Sequence, residues 1–230
     1  MATEDIDDTF YIFGDLETDS IEGKLILQIA AVTQEGEKFN VFVNPQKPLP
    51  LSTVDFLKIY WYNNDLYKDG VRLHSKHIVD ALKAFTTWIN KFQKKVTLVF
   101  HNGFAFDCLI LSNKLVYFGV ETPKNLIYVG DTLPYFRKTL KAPEIDDHKL
   151  KTLAKYFQIT EECSHDALSD SLTLKSICEK FSEKFGVTLA EVFKESSRKF
   201  SDYIEKHLNG TPIPKLSKVK IRNSRKKPAE

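Results

Sequence analysis

The sequence predicts an α/β fold: a mixed β-sheet, its first three strands antiparallel and the later ones parallel, flanked by helices on both faces. Three observations lead there. Three strand-like runs follow one another closely near the start, as antiparallel neighbours do. Later apolar runs alternate with helix-length segments, as parallel crossovers require. Hydrophobic residues make up 42% of the chain, with 17 Phe and nine Tyr, enough to fill a core above and below a sheet.

In chain order, residues 1–9 read as an acidic, disordered lead-in. Strands are expected at 10–15, 25–33 and 38–43, with a hairpin turn at Gln34-Glu35-Gly36-Glu37. Pro45, Pro48 and Pro50 then mark a loop. A helix is predicted over 52–60, with Ser52 as N-cap, and another over 77–94, where Ile78, Ala81, Leu82, Phe85, Ile89 and Phe92 fall at helical spacing. A buried strand follows at 96–100, a turn at Asn102-Gly103, a helix at 105–118 and a strand at 126–129. Helices at 132–139, 149–157 and 166–183 come next, then one amphipathic helix at 188–208. Gly210, Pro212 and Pro214 close one domain spanning 10–210, and 211–230 reads as a disordered basic tail.

The net charge of +2 hides an asymmetry. Between Lys215 and Glu230 there are seven basic residues and one acid, so the tail carries +6 and the remaining 214 residues carry −4. The body therefore shows no strong footprint for long duplex nucleic acid. The tail is open to two functional readings, phosphate binding or a nuclear localisation signal, against a merely solubilising end. Cys108, Cys163 and Cys178 are odd in number and lack Cys-x-x-Cys spacing, so they read as reduced packing residues. No apolar run approaches membrane-spanning length and the acidic start does not resemble a signal peptide. The expectation is a soluble intracellular protein, cytoplasmic or nuclear.

The chemistry concentrates in three places. Phe10 to Phe13 lead into Asp15-Leu16-Glu17-Thr18, placing two carboxylates on one face of a strand end. Two such charges repel, and a divalent cation stabilises them best. Asp107 follows the buried strand and turn at the start of a helix, where the bland reading is a first-turn acid favoured by the helix dipole. His165 and Asp170 lie five apart at the start of another helix, an arrangement that alone is as often a cap or surface pair.

Jointly these segments resemble the DEDDh exonucleases, which have the ribonuclease H-like fold of DnaQ. The first family motif matches Asp15-Leu16-Glu17-Thr18, the second matches His101-Asn102 with Phe106-Asp107, and the third matches His165 with Asp170. The likeness runs from about Phe10 to Phe181. His101-Asn102-Gly103 and Ser164-His165-x-Ala167-x-x-Asp170 look most like the three-prime repair exonuclease branch, with PML-type exonuclease domains as neighbours.

The resemblance implies two Mg²⁺ ions, with Mn²⁺ able to substitute, held by Asp15, Glu17, Asp107 and Asp170. Asp15 would bridge both ions. Glu17 and Asp170 would serve the ion that binds the attacking water, and Asp107 would support the second. His165 would be the general base. The partners implied are single-stranded DNA or RNA 3′ ends, with DNA the leaning of close relatives and no membrane. Relatives often dimerise through an edge strand, and Lys38–Val43 is the candidate for a homodimer. Asp131-Thr132 resembles a recurrent pair in this fold, but Asp131 reads first as a helix cap before Pro134.

Two departures from the family stand out. The usual Thr-Thr-Gly-Leu after motif one is here Thr18-Asp19-Ser20-Ile21, which places Asp19 near phosphate while leaving Thr18 and Ile21 to meet the terminal nucleotide. Tyr60, Trp61 and Tyr62 could stack on unpaired bases, against the alternative that two of them fill the core. Asn102, in motif two, is a further substrate-binding candidate. The reading is a metal-dependent 3′→5′ exonuclease releasing nucleoside 5′-monophosphates. The rival is a catalytically silent module on the same fold that binds nucleic acid or protein.

Overall fold

A computed structural model describes residues 9–20, 25–160 and 165–213. The acidic lead-in to residue 8, Ile21, Cys163 and the tail from residue 214 lie outside them. The first strand, β1 (Phe10–Thr18), is apolar on both faces until Asp15 and sits mid-sheet. It pairs antiparallel with β2 (Ile26–Thr33), which pairs antiparallel with β3 (Lys38–Val43), as expected.

Next come α1 (Leu51–Leu57) and a three-stranded meander of β4 (Ile59–Tyr62), β5 (Asp65–Lys68) and β6 (Val71–Leu73). Then follow β7 (Ser75–Lys76), α2 (Ile78–Asn90), β8 (Val96–Phe100), α3 (Asp107–Tyr117), β9 (Leu126–Asp131), α4 (Thr132–Thr139) and α5 (Leu150–Tyr156). The described chain closes with α6 (Ala167–Phe185), α7 (Leu189–Glu195), β10 (Ser197–Lys199) and α8 (Phe200–Asn209). The main sheet has the order β10-β9-β8-β1-β2-β3-β7, with β1, β8 and β9 parallel.

Three expectations need correction. The helix expected at 52–60 ends at Leu57, with Lys58 in the left-handed region, and its N-cap is Pro50 rather than Ser52. The aromatic run after it is a strand. Asn63 and Asn64 both take positive φ, 46° and 66°, and close a two-residue hairpin of the type asparagine favours. The single helix expected at 188–208 is broken, because Ser197–Lys199 leaves the helix to pair with β9. That pairing satisfies β9's outer edge, and α8 then folds back against α3. As for the edge strand Lys38–Val43, its last two residues are covered by β7.

Alternation along β1 divides the core. Phe10, Ile12 and Leu16 face one cluster with α2, α3 and α8, while Tyr11 and Phe13 face another with α4 to α7. Asp15 and Glu17 continue the second series, so they point to the side on which α6 packs across β1 and β2. A third, smaller cluster of Leu27, Leu49, Leu57, Ile59 and Leu66 fixes the meander to the sheet.

Candidate active site

Glu17, Asp107, Asp131 and the α6 N-terminus gather at the carboxyl ends of the three parallel strands, where such sheets place ligands. The N-terminus of α6 is docked there by Gln28. This side chain is fully buried, accepts from the Ala167 N–H at 3.2 Å and donates to Asp166 at 3.3 Å and to Asn40 at 3.0 Å. Ser171 adds a bond to the Ala30 carbonyl. Asp166 caps α6 by accepting from the N–H groups of Leu168 and Ser169, which leaves Asp170 in its first turn. His165 precedes the cap with φ of 61°. Ligand atoms of Glu17, His165 and Asp170 consequently lie within 4.8 Å of one another.

Asp107 enters from the other side, as the first residue of α3. The loop before it is held by Asp131, which does more than the expected capping. Its carboxylate accepts from the Leu133 N–H as helix cap, and also from Asn102 and Phe104 at 2.9 and 3.0 Å. Gly103 is required in that loop, because a Cβ there would lie 2.4 Å from the Phe100 Cβ. Gly103→Ala is expected to destabilise the protein by roughly 1–3 kcal/mol through overpacking, read from denaturant unfolding.

The electrostatics are those of crowded, desolvated carboxylates. Burial pushes the Asp15 carboxyl well up, and Asp107, Glu17 and Asp170 each push it further. Glu17 is pushed to about 8, by burial first and Asp170 second, with Lys68 pulling the other way. Asp107 reaches about 7, raised by burial despite hydrogen bonds from its own and the Leu16 backbone.

A raised carboxyl pKa means that the folded protein keeps a proton the unfolded chain has released. The associated stability is present at low pH and is lost as pH rises towards 7–8. In EDTA the melting midpoint should therefore fall between about pH 5 and 8.5. Glu17→Gln should flatten that fall, and a divalent cation should reverse it. The donor set fits such a cation: hard carboxylate oxygens, buried and mutually repelling, with one imidazole beside them.

The remaining candidates separate. Thr18 lines a cleft of about 890 Å³ that opens beside Glu17, with apolar walls from Leu16, Phe56, Leu57 and Phe106. Asp19 is buried and braces its own loop, its carboxylate accepting from the Leu25 N–H at 2.9 Å and its carbonyl from the Thr53 hydroxyl. Asn102 sits in the loop before Asp107 with φ of 65°. Trp61 packs on the third core cluster and donates its indole N–H to Asn44 at 3.0 Å, a structural placement. Tyr62 is exposed. Sequence reasoning missed Gln28 and Lys68. Gln28 did carry a signal, as a polar residue within an otherwise apolar strand.

The profile of the family described as Exonuclease (RNase T) matches residues 12–178. The chain belongs to this exonuclease family. The family likeness extends to exonuclease DPD1, chloroplastic/mitochondrial, of Arabidopsis thaliana, 30% identical over 193 residues covering 79% of this chain and 58% of that protein. The PolC-type DNA polymerase III of Oceanobacillus iheyensis is 31% identical over 171 residues, 72% of this chain but only 11% of the polymerase. Among solved structures, exonuclease I superposes with a TM-score of 0.63 at 16% identity, over 80% of this chain and 42% of that one. E. coli exonuclease I bound to a dA16 oligonucleotide superposes with a TM-score of 0.61 at 17% identity. The fold is thus that of the ribonuclease H-like, DnaQ-type exonucleases, and the chain spans between 11% and 58% of these relatives' own length. Among the described residues no helix is long and apolar enough to cross a membrane.

Proposed function

We propose that the protein is a metal-dependent 3′→5′ exonuclease acting on single-stranded or frayed ends and releasing nucleoside 5′-monophosphates. The observation that carries this reading is the convergence of Asp15, Glu17, Asp107 and Asp170 with His165 at one strand end. Those four carboxylates would hold two Mg²⁺ or Mn²⁺ ions, which when bound neutralise the phosphate and activate water. His165 takes the proton as the water oxygen bonds to phosphorus. The bond from phosphorus to the departing 3′ oxygen breaks and that oxygen takes a proton from solvent water, leaving a strand one nucleotide shorter with a 3′-hydroxyl and a free nucleoside 5′-monophosphate.

The cleft beside Glu17 suits the terminal nucleotide. Its apolar walls, Phe56 and Phe106 among them, offer surfaces for a base, and its acidic end lies next to the reacting phosphate. Ile21, outside the described residues, remains a candidate for the same contact, and the exposed Tyr62 a candidate for contact with a longer strand. The spelling His101-Asn102-Gly103 supports kinship with the three-prime repair branch. E. coli exonuclease I has been crystallised on single-stranded DNA oligonucleotides, which favours DNA as the substrate here. Presenting matched DNA and RNA strands and identifying products by chromatography tests this: nucleoside 5′-monophosphates from the faster substrate support it. Strand binding without any product would favour the silent module.

A further inference from the structure

The segment bearing His165 is held by more than its own helix. Lys68 lies on β5, opposite the fully buried Ile59, on the face of the meander that packs on the protein. Its Nζ forms an ion pair with Asp166 at 3.0 Å and donates to the His165 carbonyl at 3.4 Å. Both partners are largely sheltered, the side chains 20% and 21% exposed. Burial pushes the Asp166 carboxyl up, but Lys68 and the capped N–H groups hold it below its ordinary value. From α1, the Phe56 ring lies against the His165 imidazole with centroids 4.0 Å apart. Gln28 ties the same Asp166 to the sheet from below.

His165 is an exposed residue in the left-handed region, a conformation that costs a non-glycine residue and that its surroundings must hold. The insertion between β3 and α2 thus reaches across the sheet to the segment at the start of α6, about a hundred residues later in the chain.

We propose that this insertion clamps the general base, with Lys68 as the positioning residue and Phe56 as the wall against which His165 rests. Lys68 does not touch the substrate in this assignment, and it reaches the carboxylate set only through its charge on Glu17. It fixes the backbone and cap from which His165 reaches the water. The proposal rests on His165 acting as base. A side chain displaced by an ångström from its productive place can lose about 10² in rate.

The test is Lys68→Met in the full chain, with Lys68→Arg as the conservative variant. Lys68→Met is expected to lower kcat by roughly 10–100-fold with KM within about threefold, and Lys68→Arg to recover most of that loss. The His165 ring resonances, assigned by loss in His165→Ala, should shift in Lys68→Met and return in Lys68→Arg. Unfolding midpoints verify that all variants are folded.

Unchanged kcat with unmoved His165 resonances would overturn the proposal. So would a raised KM at constant kcat, which would make Lys68 a substrate contact. Should the wild-type protein turn over no strand at all, the exonuclease reading fails, and the resonances alone still decide whether Lys68 holds His165.

Discussion

Asp15→Asn is expected to abolish turnover, by roughly 10³-fold or more, while leaving the fold intact. Asp107, Glu17 and Asp170 all push on the Asp15 carboxyl, so it stands close to the rest of the set. Losing its charge removes a ligand whose role is to gather positive charge at the reacting phosphate. Stabilisation of that kind amounts to several kcal/mol, and each 1.4 kcal/mol is tenfold in rate. The same change relieves repulsion among desolvated acids. In EDTA near pH 8 the variant should therefore melt at or above the wild-type temperature. Lost turnover together with a lower melting point would mean that Asp15 serves the fold instead.

His165→Ala should reduce the rate by roughly 10²–10⁴-fold and leave cation affinity nearly unchanged. The two observables separate two roles that geometry places side by side, since His165 has a ligand atom within 4.8 Å of Glu17 and Asp170. A proton acceptor affects rate alone. A metal ligand affects binding first, and a tenfold weaker Mn²⁺ affinity by calorimetry would reassign His165 to the coordination sphere.

The site was legible where side-chain chemistry and periodicity coincide. Asp15 and Glu17 could be placed together because a strand has period two, and His165 and Asp170 because a helix start puts the loop residue and the first turn side by side. The β1–β2–β3 order followed from short turns and alternation. What failed were elements decided by tertiary contact. Ile59 and Tyr60, the start of the meander, were read as the end of a helix over 52–60, although Asn63-Asn64 is a hairpin signal in its own right. The break at Ser196 has no glycine or proline to announce it. It exists because β9 needs a partner on its outer edge. Lys68 was invisible for the same reason, being an ordinary surface lysine until the meander brings it to Asp166 at the cap of α6. Trp61, read as an aromatic open to bases, donates its indole N–H to Asn44 and packs half-buried on the third core cluster.

A 5′-labelled single strand incubated with wild-type protein and with Asp15→Asn, in Mg²⁺, in Mn²⁺ and in EDTA, decides whether the four carboxylates make a metal-dependent exonuclease. A ladder shortening from the 3′ end is expected in either metal, absent in EDTA and absent in the variant. Shortening that persists in EDTA or in Asp15→Asn, or no shortening in any condition while the strand stays bound, would contradict it.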